Sequence, residues 1–416
     1  MAEGTSTASS RLFWRFWAAE SVSLMGSMIT GVALPLIAVT TLDATAVETG
    51  LLVSAGYAAW LIIGLPAGSI VQGLPLRGVQ VAMDVIRAVA VGSIPAAWLL
   101  GHVTLAHLVL VALVVSFGRV IYDTSAVTLL PSIVEPALLR SRNSVMAATG
   151  SVADLAGPAL GGILVQTVGA ALTLVVDVVS YVVSAALLAT LPERRISDRR
   201  TSPPVRALIR EGWTYVFGHP VLAPLLRSST MINLICGAQL ALFPIFLIRE
   251  LQAPVAVVGI LLASEGAGAL AGAALTTRVA RRLGSARALI ASGLAATVGA
   301  VLLPLGSGVA GYAVFAAGNG IFAAAVAVAS VLSRTYQQEH HPMELLPRIV
   351  ATTRFVSFGA VPVGALAAGA LAGSIGSREA LIVIGCLTIL APLALIASQV
   401  RPRRDLSDEP AGVPQR

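Results

Sequence analysis

Apolar residues are gathered along this chain into runs of roughly 20 or more, the length a bilayer core demands of a helix. Six runs fall near 13–41, 48–73, 79–100, 104–131, 144–168 and 170–191. A polar, basic segment interrupts them, and six more follow near 223–248, 255–279, 286–305, 309–333, 349–374 and 379–400. The pattern predicts an all-α polytopic membrane protein with twelve transmembrane helices. The first ten residues are small and polar without an A-x-A cleavage pattern. The first run is also too long for the apolar core of a signal peptide, so it is expected to be an uncleaved span.

Composition agrees: of 416 residues 56% are hydrophobic and 11% charged, with mean hydropathy +0.88, far from a soluble domain. A net charge of +7 raises nucleic acid as a partner. Aromatics are few, however, and the charges fall between apolar runs instead of forming a surface stripe, so no nucleic acid is expected. All 27 basic residues are arginine, which removes any Walker-A or Schiff-base lysine and with it ATP-driven pumping by this chain alone. Cys236 and Cys386 lie inside distant apolar runs and are expected as small buried hydrophobes, not a disulfide.

Cytoplasmic loops carry the positive excess. With both termini cytoplasmic, Arg77, Arg140, Arg142, Arg194, Arg195, Arg281, Arg282, Arg403 and Arg404 fall inside. Arg249 and Arg378 fall outside, and Arg87, Arg119, Arg227 and Arg354 within helices. An odd number of spans would put the arginine-rich tail outside, so charge favours an even count independently of hydropathy. Gly64, Ala67, Gly68, Arg77 and Pro158 recur in order, at one constant spacing, as Gly268, Ala271, Gly272, Arg281 and Pro362. The chain therefore divides into an N-terminal six-helix bundle (1–191), a cytoplasmic linker (192–222), a C-terminal six-helix bundle (223–400) and a disordered tail (401–416). Within the linker, Val205, Leu208, Ile209, Trp213, Val216 and Phe217 are assigned to one face of an amphipathic helix, with Arg206 and Arg210 off it; a bland tether is the alternative.

The fifth run contains Gly157-Pro158-Ala159-Leu160-Gly161-Gly162. In water such a helix would rarely survive. In a bilayer the backbone has no water to turn to, small residues admit a close neighbour, and proline supplies a bend.

With six plus six spans and a basic centre, GPALGG resembles the G-P-x-x-G-G signature of drug/proton antiporters in the major facilitator superfamily. FWRFWAAESVSLMGS, DLAGPALGG and RALIREGWTYVFGHPVL are similar to the branch of macrolide and siderophore exporters. The resemblance implies two pseudo-symmetric six-helix bundles rocking about a central cavity. It also implies secondary efflux of a small amphipathic or lipophilic compound (drug, antibiotic or siderophore-like metabolite) by proton antiport, with no cofactor, as a monomer. An arginine-only, alanine-rich chain suggests a high-GC bacterium and hence a bacterial plasma membrane. Departures are clear. The gating loop after helix two, usually G-x-x-x-D-R-x-G-R-R, keeps Gly68 and Arg77 but has Gln72 in place of the acid. Thr276 stands where the matching loop could hold an acid, and Ser27 follows the SLMG glycine where an acid is common.

Ionisable groups inside a membrane are functional hypotheses by default. They are Glu20, Asp84, Arg87, Arg119, Asp123, Asp154, Asp177, Glu265 and Arg354. Asp84 with Arg87 and Arg119 with Asp123 have helical pair spacing and could be structural ion pairs; Glu20, Asp84 and Arg87 could snorkel. Glu20, Arg119, Asp123 and Arg354 are the cavity charges expected. Asp154 and Glu265, without an arginine one turn away, are the preferred proton-coupling sites, and inert hydrogen bonding is the competing reading for each. Tyr57, Trp60, Phe243 and Phe246 are possible cavity walls. Glu339, His340 and His341 could bind metal, but a solvated turn is the expectation. No Gly-x-Ser-x-Gly elbow, His-Glu-x-x-His or same-helix carboxylate pair suggests an enzyme. An importer of the same fold and a non-transporting receptor or scaffold remain open.

Overall fold

The computed structural model describes residues 2–71, 74–193, 205–341 and 345–408. Its helices are α1 (Ala2–Thr41), α2 (Ala46–Ile63), α3 (Ala67–Val71), α4 (Leu76–Leu99), α5 (Leu105–Ile133), α6 (Leu139–Val168), α7 (Ala170–Ala189) and α8 (Val205–Gly218). Then come α9 (Leu222–Ile245), continued by a π-helical turn Phe246–Glu250, α10 (Val255–Leu283), α11 (Ser285–Leu302), α12 (Gly308–Glu339), α13 (Leu346–Ile375), α14 (Ser377–Leu387) and α15 (Leu390–Ile396). Among the described residues, 12 helical segments are long and apolar enough to cross a membrane. Serines and threonines fit in them by bonding their own helix: the hydroxyls of Thr40, Thr124, Thr128, Thr230 and Thr297 donate to carbonyls four residues back, so none competes for an outside partner.

Two expected runs are interrupted. The second stops at Ile63 because Pro66 disfavours helix in the residue before it, and α3 starts afresh. The twelfth divides at Thr388 into α14 and α15. Pro158, expected to bend its helix, lies inside an α6 that stays helical from Leu139 to Val168. Single glycines turn α6 into α7 and α13 into α14: Gly169 at φ +88° and Gly376 at φ +98°, a region glycine adopts without steric cost. The same device at the same place in each half supports an internal duplication.

The chain forms two compact units that interleave along the sequence. The first comprises Met1–Ala44, Ala55–Pro203 and Pro254–Ile260; the second comprises Thr45–Ser54, Pro204–Ala253 and Leu261–Arg416. The division at 191 and 223 is thus crossed by two short segments, and α8 belongs to the second unit.

In the first unit α1 packs on α6 and α7, and α4 lies between α5 and α7. The GPALGG stretch is a close-approach seam. A Cβ on Gly161 would stand 3.4 Å from the Ile29 Cα, one on Gly157 would collide with Met28, and one on Gly162 would lie 2.5 Å from the Gly259 Cα in the first turns of α10. In the second unit α9 and α13 make the corresponding seam around Pro362: a Cβ on Gly237 would strike the Val361 carbonyl, and one on Gly364 the Leu234 carbonyl. The segment Thr45–Ser54 joins this unit through Gly50, where a Cβ would stand 2.6 Å from the Ala365 carbonyl oxygen.

α8 departs from its expected amphipathic face. Val216 is fully buried and Gly212 lies against α13, a Cβ there standing 3.0 Å from the Arg348 carbonyl oxygen; Glu211 pairs with Arg348. Trp213 and Phe217, assigned to the same face, are exposed beside Arg210, because successive steps of 100° carry them round to the arginine side. Residues 403–406, expected in the disordered tail, are fastened to the start of α11. Leu406 is buried; the Asp405 carboxylate accepts from the Ser285 backbone N–H at 2.7 Å and its hydroxyl at 3.2 Å, and the Ala286 N–H donates to the Arg404 carbonyl at 3.1 Å. The tail caps α11. Residues 409–416 lie outside the described residues. Cys386, expected to be buried, is exposed and Cys236 partly so; both are free thiols. Phe243 and Phe246 pack on Phe315, with ring centroids 4.9 and 6.3 Å away, in the core of their unit.

Candidate functional site: a charged network in the first unit

Gln80, Asp84 and Arg87 recur at helical spacing on α4, and all three are buried. Burying a charge is costly unless it is paired and hydrogen-bonded. Arg87 meets that demand twice: its Nη2 donates to Asp84 Oδ1 at 2.5 Å, and its guanidinium lies 4.5 Å from the ring centroids of both Tyr122 and Tyr181, a cation–π sandwich. Gly118 of α5 makes the room, since a Cβ there would stand 3.0 Å from Arg87 Cγ.

The second carboxylate, Asp177 of α7, is also fully buried. It accepts from the Thr30 hydroxyl of α1 at 2.5 Å and the Ser180 hydroxyl at 2.9 Å. Ser27 and Tyr181 share a hydrogen bond of 3.0 Å, and Tyr122 and Ser184 one of 3.5 Å. Gly26 lets the helices come this close: a Cβ there would fall on Asp177 and lie 2.7 Å from the Ser180 Cβ. Four helices are thus joined through polar side chains inside membrane-length spans.

Beside the network is a cavity of about 70 Å³ lined by Glu20, Ser23, Ser27, Arg87, Arg119 and Asp123, among others. One oxygen of Glu20, Oε1, is buried there with no hydrogen-bond partner among the described residues. Arg119 and Asp123 form a half-exposed pair at 3.7 Å. The volume admits a few water molecules and falls well short of the roughly 300–1,000 Å³ that a drug-sized ligand occupies. This chamber can hold water and is too small for a drug-sized ligand.

Over residues 4–413 the chain matches the family model described as transmembrane secretion effector, of the major facilitator superfamily. It belongs to the major facilitator superfamily. The superfamily is one of membrane transporters, not enzymes, and the chain is a multi-pass member of it. It is 26% identical to the multidrug efflux pump Tap of Mycolicibacterium fortuitum over 92% of this chain and 95% of that one. It is 28% identical to Tap of Mycobacterium tuberculosis over 90% and 91%. The crystal structure of the nucleoside transporter NupG shares the facilitator fold, with TM-score 0.74 at 12% identity over 93% of this chain and 98% of that one.

Of the residues expected on the facilitator plan, Glu20, Arg119 and Asp123 come together at the cavity. Arg354 on α13 and Glu265 on α10 are exposed, both in the second unit. Asp154 lies on α6 near the glycine seam, but its side chain is outside the described residues, as is Gln72 entirely. Gly68 lies exposed on α3. Arg77 lacks the usual acid nearby in sequence yet has one in space: its Nε lies 3.1 Å from Glu193 Oε2, and its Nη1 donates to the Leu191 carbonyl at 2.9 Å, closing the end of α7. Thr276 is buried, with its hydroxyl on the Gly272 carbonyl. Asp84 and Arg87, for which snorkelling was open, face inward. His341, expected in a solvated turn, is buried with its Nδ1 3.0 Å from the Tyr215 hydroxyl.

Sequence reasoning named Asp177 but did not single it out, and missed Tyr122 and Tyr181. The signal was the row Asp177, Ser180, Tyr181 and Ser184 on α7, all of which are buried. A polar stripe at helical spacing inside an apolar run marks the side of a span that faces protein.

Proposed function

We propose that this transporter exports a small amphipathic or lipophilic compound in exchange for protons, working as a monomer by alternating access in the bacterial plasma membrane with both termini cytoplasmic. The similarity to two Tap multidrug efflux pumps across nearly the whole chain supports the direction and the cargo class. The observation that carries the coupling is the partnerless carboxylate oxygen of Glu20 in a water-sized chamber. A carboxyl held there can gain and lose a proton without unfolding anything. When it is ionised, its charge adds to that of Asp123 on the chamber wall that also holds Arg87 and Arg119; when it is protonated, Asp123 is left as the charged carboxylate there. Each proton thus alters the balance of charge between α1 and α5, the local event a rocking transporter needs. Asp154 and Glu265 remain further positions at which a proton could ride.

The test is proteoliposome efflux of a lipophilic cationic dye driven by an imposed pH gradient. Glu20→Gln is expected to lower the proton-driven rate on the order of tenfold or more while downhill dye equilibration continues. Asp154→Asn and Glu265→Gln, run alongside, rank the three carboxylates. Full proton coupling in Glu20→Gln overturns the assignment of the coupling site. Dye accumulation in place of extrusion overturns export in favour of import.

A further inference from the structure

Helix α8 has 14 residues, too few to cross a bilayer, yet it displays two large aromatic side chains. Trp213 and Phe217 are 44% and 37% exposed, and their rings stack with centroids 4.5 Å apart. Arg210 stands exposed one turn earlier on the same side. The opposite side is committed to protein, with Val216 fully buried and Gly212 close against the backbone of α13. Glu211, the acid that could repel an anion, is paired with Arg348.

Placement supplies the partner. α8 ends at Gly218 and the span containing α9 begins at Leu222, while the inner side of α8 is pinned by Arg348 and Thr352 at the start of the span formed by α13. A helix held at the beginnings of two spans sits at the boundary of the bilayer, so its outer side meets the lipid headgroup layer. Stacked aromatics with an adjacent arginine suit that layer: rings settle at headgroup depth and a guanidinium pairs with phosphate.

We propose that Arg210, Trp213 and Phe217 form a lipid-binding surface that seats α8 in the headgroup layer with preference for anionic phospholipid. The assignment is independent of what the transporter carries and in which direction. Its test uses the full chain in phosphatidylcholine liposomes with and without phosphatidylglycerol, either lipid carrying brominated acyl chains as a fluorescence quencher. Subtracting the emission of a Trp213→Phe variant isolates Trp213. Trp213 is expected to be quenched by brominated lipid, more by the glycerol lipid than by the choline lipid, and to be shielded from aqueous iodide. Arg210→Gln is expected to reduce the preference for the anionic lipid about fivefold without unseating the ring. Quenching by iodide and not by lipid overturns the proposal. Equal quenching by the two brominated lipids overturns its anionic part. Shielding from both quenchers marks a protein partner on this side and overturns the lipid assignment.

Discussion

The two compact units are built from apolar runs of the same length, but they bury different things. Among the described spans, the buried charged side chains Asp84, Arg87 and Asp177 all belong to the first unit. The buried polar side chains in spans of the second are neutral, such as Gln239, Thr276, Ser292, Asn319 and Ser357. Two of them join helices by plain hydrogen bonds, Asn319 to Ser264 at 3.1 Å and Ser357 with Ser229 at 3.1 Å. In the second unit, helices approach until glycine meets carbonyl; in the first, glycines such as Gly118 also clear space for charge. One duplicated plan has been put to two uses, electrostatic on one side and steric on the other. A bilayer makes the first use expensive, so the buried charges of the first unit must be paired where they stand.

Removing Arg87 should break that contrast most strongly. Arg87→Ala leaves Asp84 buried without its cation and is expected to cost about 3–5 kcal/mol, read as a lowered melting temperature of the purified protein. The double variant Asp84→Leu with Arg87→Met should recover most of the loss, since an apolar pair of similar bulk replaces a buried ion pair at little cost. If the single variant melts like the parent, the charged network is not what holds the first unit together. Steric changes in the second unit should cost less: Gly237→Ala drives a methyl into the Val361 carbonyl and is expected to destabilise by about 1–3 kcal/mol in the same melting measurement, with no dependence on salt.

The smallest effect concerns the junction of α8 and α9. His219 Nδ1 accepts from the backbone N–H groups of Val221 and Leu222 at 3.2 Å, capping the start of α9. The ring lies 5.0 Å from that of His341 and also meets those of Tyr215 and Tyr336, the latter stacked on His340. Burial, then nearby Arg403, holds the His219 pKa below its ordinary value; burial, then His219 and His340, does the same for His341. The folded protein therefore binds fewer protons here than the unfolded chain. Stability is full above the ordinary histidine range, near 6.5, and declines as pH falls below it. His219→Gln should remove about 1 kcal/mol of capping and flatten the dependence; melting temperatures measured between about pH 8 and pH 5 would show both.

Span number and position were legible because membrane length leaves little freedom, and outside the breaks at Pro66 and Thr388 the runs match the twelve spans within about six residues. The glycine–proline stretch of α6 was legible as a place of close packing. The orientation of each polar residue was not. A span is apolar on all sides, so periodicity does not announce which side meets protein, and Asp177 looked no different from Asp154 or Glu265. Trp213 and Phe217 were misassigned for a related reason, an apolar residue on a short helix having two apolar destinations. Glu193 was invisible as the partner of Arg77 because the two meet only in space.

The tail that caps α11 has a consequence for biosynthesis. Ser285 is made some 120 residues before Asp405, so the ninth span must enter the membrane with its leading N–H groups open. These groups gain their partners only after three further spans have been made. Completion of the second unit thus waits on residues far downstream, and an affinity tag spliced in place of Asp405 and Leu406 would yield a transporter whose ninth span is never fastened.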